Sequence, residues 1–236
     1  MTLQTIPATL LDRLRAVDTP TVCNAIEVAQ GRRGFDGFTR GTMFHCRPGM
    51  PAMVGRARTA RIAGLAPPTE PGDVIKARRL AYFRAMARGP GPTVAVVEDM
   101  DYPNCIAGWW GEVHVAVHKG LGLKGAVTNG VMRDLDVMDE GFPVLAGSIG
   151  PSHGFVHVRD LGTEVAVQGM RVRDDDLIHA DRHGALVIPE AVIPQLEDAI
   201  ATVIANENLI LAPARAPGFD IDKLEAAWAE FEARRT

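Results

Sequence analysis

Apolar positions along this chain recur with two periods, and the switches between them mark out its elements. Leu10, Leu11, Leu14 and Val17 make a helical stripe over residues 8–17. Thr19 then serves as an N-cap with Pro20 at the first helical position, and this second helix runs to about Ala29 and ends at Gly31. Residues 31–53 have little periodicity and predict a long loop, functional or at an interface. Residues 54–63 alternate as a strand. Residues 74–87 predict a helix with Ile75, Leu80, Phe83 and Met86 toward the core, stopped by Gly89-Pro90-Gly91-Pro92. Residues 93–97 form a β-branched run of the kind buried on both faces. Short strands follow at 142–146, 155–158, 164–167, 170–172 and 186–188, with Gln168-Gly169 as a hairpin turn. An amphipathic helix spans 190–209, a linker 212–218 and a last helix 220–234. Helix–strand alternation followed by a run of short strands predicts an α/β fold, not a simple three-layer sandwich.

Two stretches concentrate the chemistry. The first begins as a buried strand at Ala126-Val127 and breaks at Asn129-Gly130, a turn-forming dipeptide. Apolar residues return at helical spacing from Val131 to Met138. This pattern puts Arg133 and Asp134 in the first turn of a helix, just past the C-terminal end of a strand, where open α/β sheets place ligands. The planar fork of Arg133 suits a carboxylate. Asp134 can give one oxygen to a hard divalent cation that otherwise keeps its waters. In the second stretch, Gly108-Trp109-Trp110-Gly111-Glu112 opens a helix that stops at Gly120. A Gly-flanked helix start presents unpaired N–H groups and a partial positive charge to an anion. Together the two stretches fit one site for a small carboxylate; the plain alternative is a surface Arg and Asp.

Gly111-Glu-Val-His114, followed by Asn129-Gly-Val-Met-Arg-Asp134, resembles the family of 4-hydroxy-4-methyl-2-oxoglutarate aldolase and the regulator of ribonuclease E activity. Thr19-Pro-Thr-Val-Cys-Asn-Ala-Ile resembles its opening helix, and Val54-Gly-Arg-Ala-Arg-Thr-Ala its first core strand. Asp160-Leu-Gly-Thr-Glu and residues 172–189 resemble its closing segment, so the resemblance covers roughly residues 15–190. It implies a β/β/α swivelling-type domain over residues 1–190, here with a helical extension over 191–236, assembled as homotrimers or homohexamers. In the catalytic branch it implies a pyruvate aldolase dependent on Mg2+ or Mn2+. On the matching positions, Gly111, Glu112, Val113 and His114 would line the substrate site, Arg133 would bind substrate, and Asp134 would hold the metal. Glu112 and Glu207 are candidates for the metal's outer coordination, Glu207 reaching a neighbouring subunit. Asn129 stands where the family usually has an Asp that organises water on the metal, so an Asn129→Asp change is expected to raise activity. Asp174-Asp175-Asp176 replaces the family's Pro-Gly-Asp turn.

Composition narrows the picture. At 236 residues and 25.4 kDa the chain is one domain, or one domain with an extension. A net charge of −4 argues against a nucleic-acid partner, and Arg32-Arg33 and Arg78-Arg79 are expected to be solvated surface. Cys23, Cys46 and Cys105 are scattered and odd in number, which fits buried small residues in a reducing compartment. No apolar run approaches membrane-spanning length, so a soluble cytoplasmic protein without a membrane partner is expected.

Rival chemistries are weaker. Gly150-Pro-Ser-His-Gly154 matches a nucleophile-elbow pattern, but alternating residues follow it where a helix is required. His114/His118, His153/His157 and His179/His183 share four-residue spacing, and only the first pair falls on a predicted helix; no third metal ligand is specified. Trp109-Trp110 fits core or subunit contact, and Glu98, Asp99 and Asp101 read as loop charge. The resulting expectation is a lyase acting on a small 2-oxo acid through a pyruvate enolate, by retro-aldol cleavage or oxaloacetate decarboxylation. A non-catalytic regulator on the same fold, such as a ribonuclease regulator, is the alternative.

Overall fold

A computed structural model describes residues 5–234. Helix α1 (Ala8–Ala16) is followed by α2 (Thr19–Gln30), whose cap is Asp18 and not Thr19: the Asp18 carboxylate accepts the Thr21 N–H at 2.9 Å. Thr19 is buried instead, with its backbone N–H donating to Asp181 at 3.0 Å. Gly31 closes α2 at φ 61°, a left-handed conformation that suits glycine.

The chain then forms β1 (Phe44–His45), β2 (Met53–Ala63), α3 (Gly72–Met86), β3 (Thr93–Asp99), β4 (Gly108–Trp110), α4 (Glu112–Gly120), β5 (Ala126–Met132) and β6 (Val144–Ile149). Next come β7 (His157–Leu161), the hairpin of β8 (Val165–Val167) and β9 (Met170–Val172), and a second hairpin of β10 (Leu177–Asp181) and β11 (Gly184–Ile188). After one 3-10 turn, α5 (Ile193–Ala214) and α6 (Ile221–Arg234) close the described residues. Pro213 lies inside the last turn of α5, so that helix takes in the start of the expected linker.

The main sheet runs β1-β6-β5-β3-β2-β10-β11. Its centre, β6-β5-β3-β2, is parallel, and β1, β10 and β11 extend it in antiparallel fashion. At the C-terminal ends of the parallel strands β7 pairs with β2 and β4 pairs with β5. Each central strand feeds alternate side chains to two cores. Ala95, Val97, Ala126, Val144 and Ala146 face α3 and α4, while Val94, Val96, Val127 and Leu145 face the β8–β9 hairpin. A third core joins α1, α2 and α5 through Leu14, Ile26, Leu196 and Ile200. The α/β expectation holds.

Three local expectations fail for identifiable reasons. Asn129-Gly130 is not a turn: β5 runs through it to Met132, and its register against β6 shifts between Thr128 and Val131. Strand neighbours on both sides satisfy this backbone, which overrides a local turn preference. The helix expected from Val131 is a single turn, in which the Asp134 carbonyl accepts the N–H groups of Val137 and Met138, both at 3.1 Å. On α3 the fully buried side chains are Tyr82 and Met86, and Leu80 is 49% exposed.

The 31–53 loop has a place within one subunit. Thr39 donates to Ala185 of β11 at 2.9 Å, Phe38 bridges Leu186, and β1 pairs with β6. The loop thus covers both edges of the sheet, the positions most open to unwanted pairing. No helix among the described residues is long and apolar enough to cross a membrane.

Candidate active site

Arg133 and Asp134 follow directly on the C-terminal end of β5, and the start of α4 packs against them. The Arg133 N–H donates to the Trp110 carbonyl at 2.9 Å, which ties the pair to β4. Asp134 has φ 62°, an uncommon conformation for a non-glycine residue that turns the chain abruptly after the strand. Its Oδ2 accepts the Glu112 N–H at 3.3 Å and lies 3.6 Å from Arg133 Nη2. A carboxylate here faces the positive end of α4 and meets one of its unpaired N–H groups.

Gly111 makes this approach possible. A Cβ at Gly111 would lie 2.5 Å from Asp134 Oδ2 and 3.2 Å from Arg133 Nε. At Gly108 a Cβ would lie 2.9 Å from Arg133 Cδ. These glycines leave bare backbone against which both charged side chains lie; the backbone at Gly111 is extended (φ −153°), so space and not dihedral freedom is what selects glycine.

A cleft of about 450 Å³ opens beside the pair, lined among others by Trp109, Val113, His114 and Arg133. His114 packs edge-on to Trp109 with ring centroids 4.0 Å apart. Its Nδ1 and Arg133 Nε are both buried without a hydrogen-bond partner among the described residues. Burial, reinforced by the nearby charges of His118, Arg79 and Arg133, lowers the His114 pKa to about 3, so its imidazole is neutral at pH 7. His118, one turn on, is buried behind it. Its Nδ1 donates to the His114 carbonyl at 2.5 Å, leaving Nε2 to accept from the Tyr82 hydroxyl at 2.6 Å. The Trp109 indole in turn donates to the Tyr82 oxygen at 3.2 Å. Desolvation holds His118 down at about 4.

The structure therefore brings together Gly111, Glu112, Val113, His114, Arg133 and Asp134. It does not bring Asn129 to them in a free state. Asn129 is buried with both ends of its amide engaged by the Asp99 backbone, Oδ1 accepting at 2.7 Å and Nδ2 donating at 3.1 Å. Glu207 lines a different cleft of this chain, between α2, α5 and α6, where Asn24 donates to it at 3.5 Å.

Among the described residues no group of three or more His, Cys, Asp or Glu side chains is placed to hold a metal. Asp134 by itself fits a hard cation of the magnesium type, which binds through one or two carboxylates and keeps most of its waters. Its Oδ1 accepts no hydrogen bond among the described residues, while Oδ2 is braced by the Glu112 N–H.

Other motifs resolve structurally. Ser152 Oγ accepts the Gly154 N–H at 3.0 Å and no helix follows, so the elbow pattern is a tight loop. Glu98 pairs with Arg61 at 3.0 Å and Asp101 accepts the N–H groups of Gly64 and Leu65, so these carboxylates organise strand ends instead of standing as solvated loop charge. The three cysteines are half-buried and unpaired with one another. Arg79, His153 and Phe155, which sequence reasoning missed, also line the cleft. Only the Gly-rich loop at 150–154 hinted at one of them, His153.

These observations meet those from known proteins. The chain matches the RraA-like (Aldolase/RraA) family over residues 19–187, and it belongs to that family. An uncharacterized protein from Pseudomonas syringae pv. tomato str. DC3000 shares its fold, with TM-score 0.70 and 21% identity over 98% of this chain and 97% of that one. Streptomyces coelicolor RraAS2, described as an unusual member of the RNase ES inhibitor RraA protein family, aligns with TM-score 0.66 and 22% identity over 91% of this chain and 100% of its own. A search of curated protein sequences gave no significant match.

Proposed function

We propose that this protein is a divalent-metal-dependent lyase that cleaves a C–C bond of a 2-oxo acid and releases pyruvate, working as a homotrimer or homohexamer. The observation that carries the reading is the Arg133–Asp134 pair set against bare backbone at the start of α4, with Asp134 braced by the Glu112 N–H. Arg133 grips the substrate carboxylate through its fork. The N–H groups of Val113 and His114, unpaired at the helix start, orient the same anion. Neutral His114 lines the cleft without adding charge. Mg2+ or Mn2+ held by Asp134 and by water would supply Lewis-acid stabilisation of the negative charge that develops on the keto oxygen. Retro-aldol cleavage and decarboxylation of oxaloacetate leave the bonding pair on the same pyruvate enolate, so one site serves either reaction.

The test is pyruvate release from a panel of 2-oxo acids with titrated magnesium. Asp134→Asn keeps the shape but loses the charge; it is expected to lower turnover by about a hundredfold or more at sub-saturating metal, with partial rescue by excess metal. Arg133→Lys keeps the charge but loses the fork, and kcat/KM should fall by about ten- to a hundredfold without metal rescue. Wild-type turnover in both variants would sink the site assignment.

A regulatory reading is supported by the likeness to Streptomyces coelicolor RraAS2, described as an unusual member of an RNase ES inhibitor family. Binding and inhibition of a ribonuclease E-type enzyme, with no pyruvate released from any substrate of the panel, would establish it.

A further inference from the structure

The loop at Gly150–Gly154 fails as a nucleophile elbow, yet it holds a histidine in a fixed place. The Gly150 N–H donates to the Met132 carbonyl at the end of β5, at 3.0 Å, and the Gly108 N–H of β4 donates to the Ser152 carbonyl at 2.8 Å. Beyond the loop, the Phe155 N–H donates to the Gly64 carbonyl at 2.9 Å and the Val156 N–H to the His153 carbonyl at 3.2 Å. A Cβ at Gly154 would lie 2.8 Å from the Gly64 carbonyl oxygen, so the loop lies flat against the end of β2. Three strand ends thus tie it down.

The same loop reaches the Arg133–Asp134 site. The point where a Cβ of Gly108 would stand is 2.9 Å from Arg133 Cδ and 3.0 Å from the Ser152 carbonyl oxygen, so Arg133 and the loop share one stretch of bare backbone. His153 is exposed and lines the cleft with Arg133 and His114. Its Nδ1 is 2.7 Å from the Gly154 carbonyl oxygen. That oxygen only accepts, so Nδ1 carries the proton and Nε2 of the neutral ring carries the lone pair. Nε2 has no hydrogen-bond partner among the described residues.

Retro-aldol cleavage has to move one proton, from the substrate's 4-hydroxyl to the carbon released as the enolate. Of the titratable groups that line the cleft, Arg79 and Arg133 keep their protons. His114 stands edge-on to Trp109 with Nδ1 buried and unpartnered, and burial opposes its taking a proton. Asn129 is held by the Asp99 backbone and cannot act as a base. His153 is the lining residue that remains.

We infer that His153 is the proton-transfer residue of this site, its Nε2 taking the proton of the 4-hydroxyl and returning it to C3. This rests on the reading of Arg133 as the grip on the 2-oxo acid carboxylate. As the C3–C4 bond breaks, its electron pair stays with C3 in the enolate, and C4 becomes a carbonyl carbon. The imidazolium, steadied by the Gly154 carbonyl, then gives the proton to C3, which leaves pyruvate and a neutral ring. In oxaloacetate decarboxylation carbon dioxide leaves without a proton; C3 takes one from His153, which is reloaded from water.

The test is exchange of the pyruvate methyl protons in deuterium oxide, followed by NMR on the full chain with saturating magnesium, beside calorimetric binding of pyruvate. Exchange runs the last step backwards and forwards, and so reads proton transfer without an aldol substrate. His153→Gln keeps a donor for the Gly154 carbonyl but cannot carry a proton; exchange should slow about a hundredfold while the pyruvate Kd stays within about threefold. His153→Ala should lose exchange to a similar degree and regain it about tenfold with free imidazole, which a purely structural role would not allow. Undiminished exchange in His153→Gln, with pyruvate binding still weakened by Arg133→Lys, would overturn this inference and leave the site reading standing. Lost exchange that imidazole does not restore, or that follows a weakened Kd, would likewise make His153 structural. Wild-type protein that exchanges no pyruvate protons, or binds pyruvate as well after Arg133→Lys, would overturn the site reading itself, and this inference with it.

Discussion

Asn129 holds the Asp99 backbone with both ends of its amide, at 2.7 Å and 3.1 Å, where β5 turns from β3 toward β4. Read along the sequence, the same residue looked like half of a turn and a replacement for a catalytic carboxylate. Its surroundings assign it the work of joining two strand ends. An Asp there could accept from the Asp99 N–H but could not donate to the Asp99 carbonyl. It would also add charge beside the buried Asp99 carboxyl, whose pKa burial already raises. Asn129→Asp is therefore expected to lower stability by about 1–3 kcal/mol and not to raise turnover; urea unfolding paired with the pyruvate assay checks both. Asp175 makes a similar point. It sits at φ 72° where the family's turn carries Gly, and its carboxylate pairs with buried Arg58. The ion pair compensates a conformation that glycine would adopt without strain.

Helix α4 was legible because Gly111 and Gly120 bracket it and its first turn carries the acidic Glu112. What lies behind it was not. The chain from Trp109 through Tyr82 and His118 to the His114 carbonyl joins β4, α3 and α4, elements whose residues are separated by up to 36 positions. It leaves two neutral histidines in the fold, with pKa values of about 3 and about 4. Both lie below the ordinary 6.5, so the unfolded chain binds more protons than the folded one between those limits. Stability is fully present above pH 6.5 and is lost as the pH falls toward 4 and then 3. His118→Asn should reduce the proton uptake on unfolding between pH 6.5 and 4 by about one, read from the slope of unfolding free energy against pH. An unchanged slope would mean that His118 titrates normally in the folded protein. On α3 the expected apolar stripe holds at Met86 and, half-buried, at Ile75 and Phe83, and fails at Leu80. Leu80 faces solvent because Tyr82 takes the buried position with its hydroxyl satisfied by His118.

At the scale of the molecule, stability is divided among three cores, and the C-terminal helices contribute unequally. Helix α5 buries Leu196, Ala199, Ile200 and Val203 against α1 and α2, whereas α6 buries only Ala227 among its described residues. A chain ending at residue 216 should fold with Tm lowered by about a few degrees. A chain ending at residue 192 should fail to fold, since each large apolar side chain so exposed costs about 1.5–3 kcal/mol against a total stability of about 5–15 kcal/mol. Circular dichroism melts of the two truncations check this; a cooperative transition in the shorter chain would show α5 to be dispensable. The sequence by itself determined the elements whose signal is local: the periodic helices, the β-branched β3, the hairpin turn between β8 and β9 at Gln168-Gly169, and the Arg-Asp and Gly-Glu-Val-His stretches. Only the tertiary structure decided what depends on neighbours distant in the chain. Strand β10, buried at all five residues, has no alternation to reveal it until β2 and β11 flank it. The passage of β5 through Asn129-Gly130, the loop that covers both sheet edges, and the meeting of Arg79, His114, Arg133 and Phe155 around one cleft follow the same rule. Their backbone and side-chain partners come from other elements, and no window of sequence contains both sides of such a contact.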